Sequence, residues 1–194
     1  MRQIIIIVLA SILCGVPILA QDNITEVLNK AFSQKDWKTY ADNFPETFDS
    51  FLDVFGWDHV TGPMPLYDQG FEHINFLFSD NRILADCYLQ KLLNLTKGYS
   101  WDADGPTYLQ TNIECLIIRY PSIISKFMDD KADAQVKDFL KCGIATPYPE
   151  QENTLYYNEL LKIIKLYKGY SGKIVRLLGE APEELLEEWP TGQR

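Results

Sequence analysis

The chain has two histidines, His59 and His73, and each stands beside an acidic residue, Asp58 or Glu72. Imidazole and carboxylate groups bind zinc, so a metal site here would need both histidines to converge across the loop 60–70. Their spacing does not match the helical pair His-x-x-x-His. We therefore expect each histidine to lie at the surface or at a helix end, and we predict no bound metal ion and no cofactor.

A second acidic motif, Trp101-Asp-Ala-Asp-Gly105, resembles part of a calcium-binding loop. Aligning Gly105 with the glycine of that loop places Thr111 where a bidentate acid is required. Because this ligand is missing, the motif is better explained as a helix start, with Asp104 as the N-cap in front of Pro106.

A Ser-His-Asp or Cys-His arrangement stays open, but no motif in the sequence supports one. There is no Gly-x-Ser-x-Gly turn to present a nucleophile and no glycine-rich loop to hold a phosphate. Paired carboxylates are common in any acidic chain and indicate no particular site. The sequence therefore assigns no catalytic residue and favours a non-enzymatic protein.

Charge is unevenly distributed along the chain. Lys and Arg number 18 against 27 Asp and Glu, and the resulting net charge of −9 argues against a nucleic-acid partner. Residues 36–72 hold eight acids and one base, whereas residues 160–179 hold five bases and no acid. Each run is explained most simply as a solvated helix face. The alternative is that the acidic run meets a basic protein partner by electrostatic steering.

The candidate interaction face lies where aromatic and acidic residues mix, on both sides of the loop 60–70. Trp57 follows a predicted helix end, and the chain returns at Pro65, so residues from both sides should lie together. The predicted members of the face are Trp57, Asp58, His59, Tyr67, Asp68 and His73. Large aromatic residues anchor many interfaces, but the same cluster could serve only to fix the loop.

Helical spacing of apolar residues dominates the chain, and no convincing strand pattern occurs. Helix starts are predicted at Asn23, in a capping box with Glu26, at Asp36 and at Pro45. Further helices are predicted near 71–78, 79–97, 106–120, 121–128, 136–142, 153–168, 172–178 and 182–188. Short loops favour antiparallel neighbours. The sequence therefore predicts one all-α domain over 21–194, either an irregular bundle or a short solenoid of TPR- or HEAT-like helix pairs.

The clearest core helix follows Pro45. Its apolar residues recur at i, i+3, i+4 and i+7, which predicts buried side chains at Phe48, Phe51, Leu52 and Phe55. Gly56 then stands where a helix commonly ends in a left-handed conformation.

One internal similarity relates two predicted helix ends. Lys91–Ser100 and Lys162–Ser171 are identical at six of ten positions and lie 71 residues apart. That separation is near twice the ~34 residues of a helical repeat. The alternative is convergence, because an apolar stripe followed by lysine and glycine is a common way to end a helix.

The first twenty residues have the features of a secretory signal. Arg2 precedes the apolar run Ile4–Leu13, and a small residue, Ala20, ends the segment. We expect cleavage after Ala20 and a secreted or periplasmic protein without a stable membrane anchor. Lipid attachment at Cys14 is the less favoured alternative, since Leu13 stands where a small residue normally precedes the modified cysteine.

Three cysteines remain after the predicted signal: Cys87, Cys115 and Cys142. An odd number permits one disulfide at most in an oxidising compartment. Each stands beside apolar residues in a helical pattern, so we expect three buried free thiols.

Several stretches resemble a group of uncharacterised exported helical proteins of Gram-negative bacteria. They are Phe55–Asp58, Pro65–Asp68, Glu72–Phe78, Trp101–Asp104 and Tyr108–Asn112, and the resemblance covers about residues 45 to 165. It implies an exported helical protein and carries over no catalytic residue. Small acidic proteins of this kind are similar to immunity proteins, which suggests a protein-binding role such as neutralising a toxin. A secreted hydrolase whose site is unrecognisable from sequence is the alternative.

Overall fold

The computed structural model describes residues 19–100, 104–144 and 160–180, and it is built almost entirely from α-helices. The helices are α1 (Leu19–Ser33), α2 (Trp37–Asn43), α3 (Phe48–Phe55), α4 (Gly70–Phe78), α5 (Asp86–Leu95), α6 (Asp104–Arg119), α7 (Pro121–Met128), α8 (Asp133–Ile144), α9 (160–167) and α10 (Gly172–Glu180). The remaining elements are the strands β1 (Trp57–Asp58) and β2 (Gly62–Pro63) and the 3-10 turns Tyr67–Gln69 and Asn81–Leu84. The all-α class predicted from the sequence is confirmed.

Some predictions fall outside the described residues. They are residues 1–18 of the predicted signal sequence 1–20, with Cys14, the first part of the predicted helix 153–168, and the helix 182–188. Cleavage after Ala20 and export therefore stay predictions. Within the described parts of the chain, no helix is long and apolar enough to cross a membrane.

α1 and α2 pack against each other, and their starts differ in how well the sequence predicted them. α1 already begins at Leu19, so the prediction that Asn23 caps a helix start was wrong, because the apparent capping box lies inside the helix. Asp36 is confirmed as the N-cap of α2, where its carboxylate accepts the N–H of Thr39 at 3.1 Å. The hydroxyl and the N–H of Thr39 also hold the pKa of Asp36 below its usual range.

α3 begins later than the proline predicts. The hydroxyl of Thr47 accepts the N–H of Ser50, and the hydroxyl of Ser50 accepts the N–H of Thr47, each at 3.2 Å. This reciprocal cap fixes the helix start, so the prediction that Pro45 takes the first helical position was wrong.

The predicted core residues of α3 are largely confirmed. Phe48, Phe51 and Phe55 are buried, whereas Leu52 is only partly buried against the core and Val54 is buried. The buried side is wider than one stripe because α3 contacts α1, α5 and α6.

Gly56 ends α3 without adopting the predicted left-handed conformation. Its φ is −87° and its ψ is −170°, which is extended backbone leading into β1. The glycine is needed for space, since a Cβ at this position would lie 2.6 Å from the Leu52 carbonyl oxygen.

The apolar stripe predicted as one helix from residue 79 is divided between two elements. Asn81–Leu84 form a 3-10 turn, Ala85 is extended, and α5 begins at Asp86. The turn and the extended residue change the helical phase. Cys87 is therefore exposed, although it follows Ile83 by one helical turn in sequence.

The three cysteines are free thiols in three different environments. Cys142 is buried as predicted, and burial raises the pKa of its thiol. The prediction of burial was wrong for Cys87, which is exposed, and only partly right for Cys115, which is half-buried.

α6 is the central helix of the described fold, packed against both α4 and α8. Two side chains tie other helices to this layer. The Trp37 indole N–H donates to the Leu77 carbonyl at 2.8 Å, which joins α2 to α4. The Tyr167 hydroxyl donates to the Ile117 carbonyl at 2.8 Å, which joins α9 to the C-terminal part of α6.

Two lysines satisfy carbonyl groups at the ends of other helices. Lys91 of α5 is bound by carbonyls at the C-terminal end of α2, those of Ala41 (3.0 Å), Asp42 (2.8 Å) and Phe44 (3.2 Å). Lys173 of α10 is bound by carbonyls at the C-terminal end of α7, those of Met128, Asp129 and Lys131. Because the last carbonyls of a helix lack partners within it, these ammonium groups stabilise both helix ends.

Candidate functional site

The loop after α3 is a ribbon that Asp58 holds closed. β1 and β2 pair antiparallel, and one oxygen of the Asp58 carboxylate accepts the N–H of Val60 at 2.8 Å and the N–H of Thr61 at 2.6 Å. These bonds, led by that from Thr61, lower the pKa of Asp58. His59 and Val60 are exposed at the tip of the ribbon. Asp58 is therefore a structural residue of the loop as well as an exposed charge.

Trp57 lies beside the ribbon as an exposed aromatic side chain. Its ring meets that of Tyr67 edge to face, with 5.3 Å between the centroids. An indole in this position keeps much of its area in water while one tyrosine fixes its orientation. The prediction that Trp57 and Tyr67 lie together is confirmed.

Tyr67 connects this pair to the start of α6. Its hydroxyl donates to the Asp104 carboxylate at 3.0 Å, and partial burial together with that carboxylate raises the pKa of Tyr67. Asp104 lies within α6 instead of capping it from outside, so its predicted role as N-cap was wrong. Gly105 permits the contact, since a Cβ there would lie 2.6 Å from the Phe55 carbonyl oxygen.

A second aromatic pair continues the surface along α4 and α6. Phe71 is 53% exposed, and its ring meets that of Tyr108 edge to face at 5.4 Å. Tyr108 follows Asp104 by one helical turn, so it lies on the same side of α6 as the acid bound by Tyr67. The two pairs therefore form one continuous exposed feature.

We call this feature the aromatic–acidic surface. Its members are Trp57, Tyr67, Phe71 and Tyr108, with the acids Asp58, Asp68, Glu72 and Asp104. Asp68 and Glu72 have exposed side chains and stand one residue after Tyr67 and Phe71 respectively. An aromatic residue followed by an exposed carboxylate thus occurs once in the 3-10 turn and again in the first turn of α4, where the aromatic ring is also exposed.

His73 is not part of this surface, although the sequence analysis placed it there. Its side chain is 0% exposed, its ring stacks on Phe32 at 4.3 Å between centroids, and its Nδ1 lies 3.2 Å from the Tyr40 hydroxyl. Burial lowers the pKa of His73. The prediction was wrong because α4 turns His73 towards the core together with Ile74 and Leu77.

Sequence reasoning missed Phe71, Tyr108 and Asp104 as members of the surface. Phe71 begins the predicted helix 71–78, and Tyr108 lies 35 residues after His73, the last predicted member of the face. The available signal was the i, i+4 spacing of Asp104 and Tyr108 on one helix. Only the packing of α6 against α4 reveals that this side of α6 faces Phe71.

A groove of about 860 Å³ lies elsewhere in the molecule, between α5 and α7. Its lining residues include Asp86, Cys87, Lys126 and Lys131. Neither histidine lines it. Among the described residues the groove therefore does not combine a thiol with an imidazole, the usual pair for nucleophilic catalysis.

Within the described ranges, no group of three or more His, Cys, Asp or Glu side chains could hold a metal ion. No protein-family model, curated protein or solved structure matches the chain. The resemblance to exported helical proteins of Gram-negative bacteria accordingly stays a prediction.

Proposed function

We propose that this chain is an exported, non-enzymatic protein-binding module whose aromatic–acidic surface receives a basic partner. Neutralisation of a basic toxin is the most concrete form of this role. One observation carries the proposal: the exposed rings of Trp57 and Phe71 stand beside the exposed carboxylates of Asp68 and Glu72.

The two kinds of group support different parts of binding. Tryptophan and tyrosine are enriched among the residues that contribute most to interface affinity, and an arginine or lysine of a partner can lie over their rings. Carboxylates attract a basic protein before contact and so raise the association rate. Because Trp57 and Phe71 are each held by a tyrosine, little side-chain freedom is lost on binding.

An Arg-rich peptide immobilised on a biosensor tests the proposal, with an oligo-glutamate peptide as the negative probe. The informative variant is Asp68→Asn with Glu72→Gln. Asp58 is unsuitable because its carboxylate closes the ribbon. A matched control, Glu26→Gln with Asp86→Asn, removes the same charge from exposed positions on α1 and α5.

We expect the surface variant to lower the association rate by about tenfold at low salt and to weaken its salt dependence, and the control to change both less. Trp57→Ala should weaken affinity by about 30-fold, equivalent to about 2 kcal/mol. Equal association rates and equal salt slopes for the wild type and the surface variant would contradict the proposal.

A secreted hydrolase is the second candidate, and the groove between α5 and α7 is the observation that favours it. Among the described residues, Cys87 supplies the one thiol of the groove lining, and a serine, Ser122, also lies there. Hydrolysis of a small activated ester by the purified protein, lost in Cys87→Ala or Ser122→Ala, would support this candidate. A rate equal to the buffer rate would count against it.

A further inference from the structure

A second exposed surface, opposite in charge, lies on α9. Lys165 and Lys168 follow Leu161 by one and two helical turns, so the three side chains share one side of the helix. All three are exposed, and Tyr170, just after the helix, is 51% exposed. We call these four residues the basic surface. The other side of α9 is buried in the core, through Leu160, Ile163 and Tyr167.

Two further cations of this region are bound to an acid of α8. The Arg176 guanidinium lies 2.7 Å from the Asp133 carboxylate, and the Lys173 ammonium lies 3.7 Å from it. Both cations also lower the pKa of Asp133, Arg176 more strongly. The charges of the basic surface therefore come from Lys165 and Lys168.

The two charged surfaces lie at opposite ends of α6. Asp104, bound by Tyr67, begins the helix, whereas α9 is joined to it at Ile117 through the Tyr167 hydroxyl. Thirteen residues separate these two positions on α6, and at 1.5 Å per residue they lie about 20 Å apart along the axis. Side chains of the two surfaces consequently cannot meet within one molecule.

We propose that the aromatic–acidic surface of one copy binds the basic surface of a second copy. The inference rests on the proposed function and names a second copy of this chain as a basic partner of that site. Lys165 and Lys168 would approach Asp68 and Glu72, while Leu161 and Tyr170 would cover the exposed rings of the other copy. Each side thus offers two charges of one sign together with exposed apolar area.

Such an interface is heterologous, because different surfaces of the two copies meet. Each copy in a pair keeps one unused surface, so association continues into a chain or closes into a ring. Exposed ion pairs contribute little each, and we therefore expect weak association that salt dissociates.

Sedimentation velocity on the wild type and two charge-reversed variants tests the inference. The first variant, Asp68→Lys with Glu72→Lys, loses the acidic side, and the second, Lys165→Glu with Lys168→Glu, loses the basic side. If a reversed variant fails to fold, neutral replacements at the same positions, Asn and Gln for the acids or Gln for the lysines, take its place. Thermal unfolding confirms that each variant retains its fold.

We expect the wild type to sediment faster than a monomer at about 0.1 M salt and as a monomer at about 1 M, as the screening length falls from ~10 Å to ~3 Å. Each variant alone should be monomeric. A mixture of the two should associate again, because the intact basic surface of the first variant meets the intact acidic surface of the second, and the two reversed surfaces are also opposite in charge. With neutral replacements in both variants, the mixture should stop at a dimer, because one charged surface remains on each.

Three results would overturn the inference: a wild type that stays monomeric up to millimolar concentration, a mixture that stays monomeric, or self-association lost in only one of the variants. The peptide measurement separates this failure from that of the proposed function. A monomeric wild type that still binds the Arg-rich peptide through Asp68 and Glu72 contradicts self-association alone. A wild type that neither self-associates nor binds the Arg-rich peptide through Asp68 and Glu72 contradicts both proposals.

Discussion

The two similar segments Lys91–Ser100 and Lys162–Ser171 form the ends of α5 and α9. They share buried positions before the glycine but have opposite burial after it. Leu92 and its counterpart Ile163 are buried, as are Thr96 and Tyr167. After the glycine, the burial of the two remaining positions is reversed between the segments. Tyr99 is 7% exposed and its counterpart Tyr170 is 51% exposed, whereas Ser100 is exposed and Ser171 is buried.

The inversion arises from the path of the chain after each helix. Gly98 has a φ of +75°, a left-handed conformation that turns the chain so that Tyr99 packs on Phe48, with 5.3 Å between ring centroids. After Gly169 the chain runs directly into α10, and Ser171 takes a buried position before it. Identical residues thus acquire different roles from their neighbours. This favours convergence on a common helix end over a true repeat.

The largest expected difference lies at the two tyrosines. Tyr99→Ala removes a buried ring and its hydroxyl bond to the Pro106 carbonyl at 3.4 Å, so it should destabilise the fold by about 3–4 kcal/mol. Tyr170→Ala at the exposed position should change the free energy of unfolding by less than about 0.5 kcal/mol. Urea unfolding of both variants measures the contrast. Equal losses would mean that the two tyrosines are in similar environments.

The second largest loss of stability is expected at Lys91, the lysine that begins the first segment. Lys91→Met keeps the apolar stem but leaves three carbonyls at the C-terminal end of α2 without their shared donor. We expect a loss of about 2 kcal/mol, since unsatisfied polar groups in a partly buried site are costly. Lys97→Met, at an exposed lysine just after the same helix, is the control and should cost much less. A thermal melt of Lys91→Met equal to that of the wild type would contradict this role.

Sequence patterns predicted what depends on nearby residues and failed where distant packing decides. The α3 stripe with Phe51 and the N-cap Asp36 could be predicted because spacing and local hydrogen bonds specify them. The burial of His73 and the exposure of Phe71 could not, since both follow from which side of α4 meets α2 and α6. Cys87 was misplaced because one extended residue, Ala85, shifted the helical phase.

In the candidate site, too, the features set by nearby residues could be predicted and those set by distant packing could not. Trp57 and Tyr67 could be predicted as neighbours because only a short loop separates them. Asp104 and Tyr108 are brought to them by the close approach of α6 at Gly105, which no local pattern indicates. The charges of α9 were visible in the sequence, but their position at the opposite end of α6 was not.

Substituting the two serines should change the stability less than substituting the two tyrosines. Here the larger loss is expected in the second segment, at Ser171, instead of in the first. Ser171 accepts the N–H of Ile174 at 3.2 Å and donates to the Asp129 carboxylate at 3.0 Å, so it caps α10. Ser171→Ala should cost about 1–2 kcal/mol, as expected for losing a buried cap. Ser100→Ala, at the exposed counterpart, should be nearly neutral. Melting temperatures from calorimetry measure both effects. A larger loss of stability in Ser100→Ala than in Ser171→Ala would contradict the capping role of Ser171.

The glycines give the smallest effects, and these should have opposite signs. A Cβ at either Gly98 or Gly169 would meet no other atom within 4 Å, so contacts do not distinguish the two substitutions. Gly98 has a φ of +75°, and alanine there should cost about 1 kcal/mol because its Cβ meets its own backbone. Gly169 lies outside the left-handed region, so Gly169→Ala should stabilise the fold by about 0.5 kcal/mol through the lower entropy of the unfolded chain. Denaturant unfolding measures both differences in the free energy of unfolding, and equal m-values for the variants and the wild type make the comparison valid. The same sign at both glycines would show that the two helix ends share one backbone path, and the difference between the two segments would then lie in their side-chain neighbours alone.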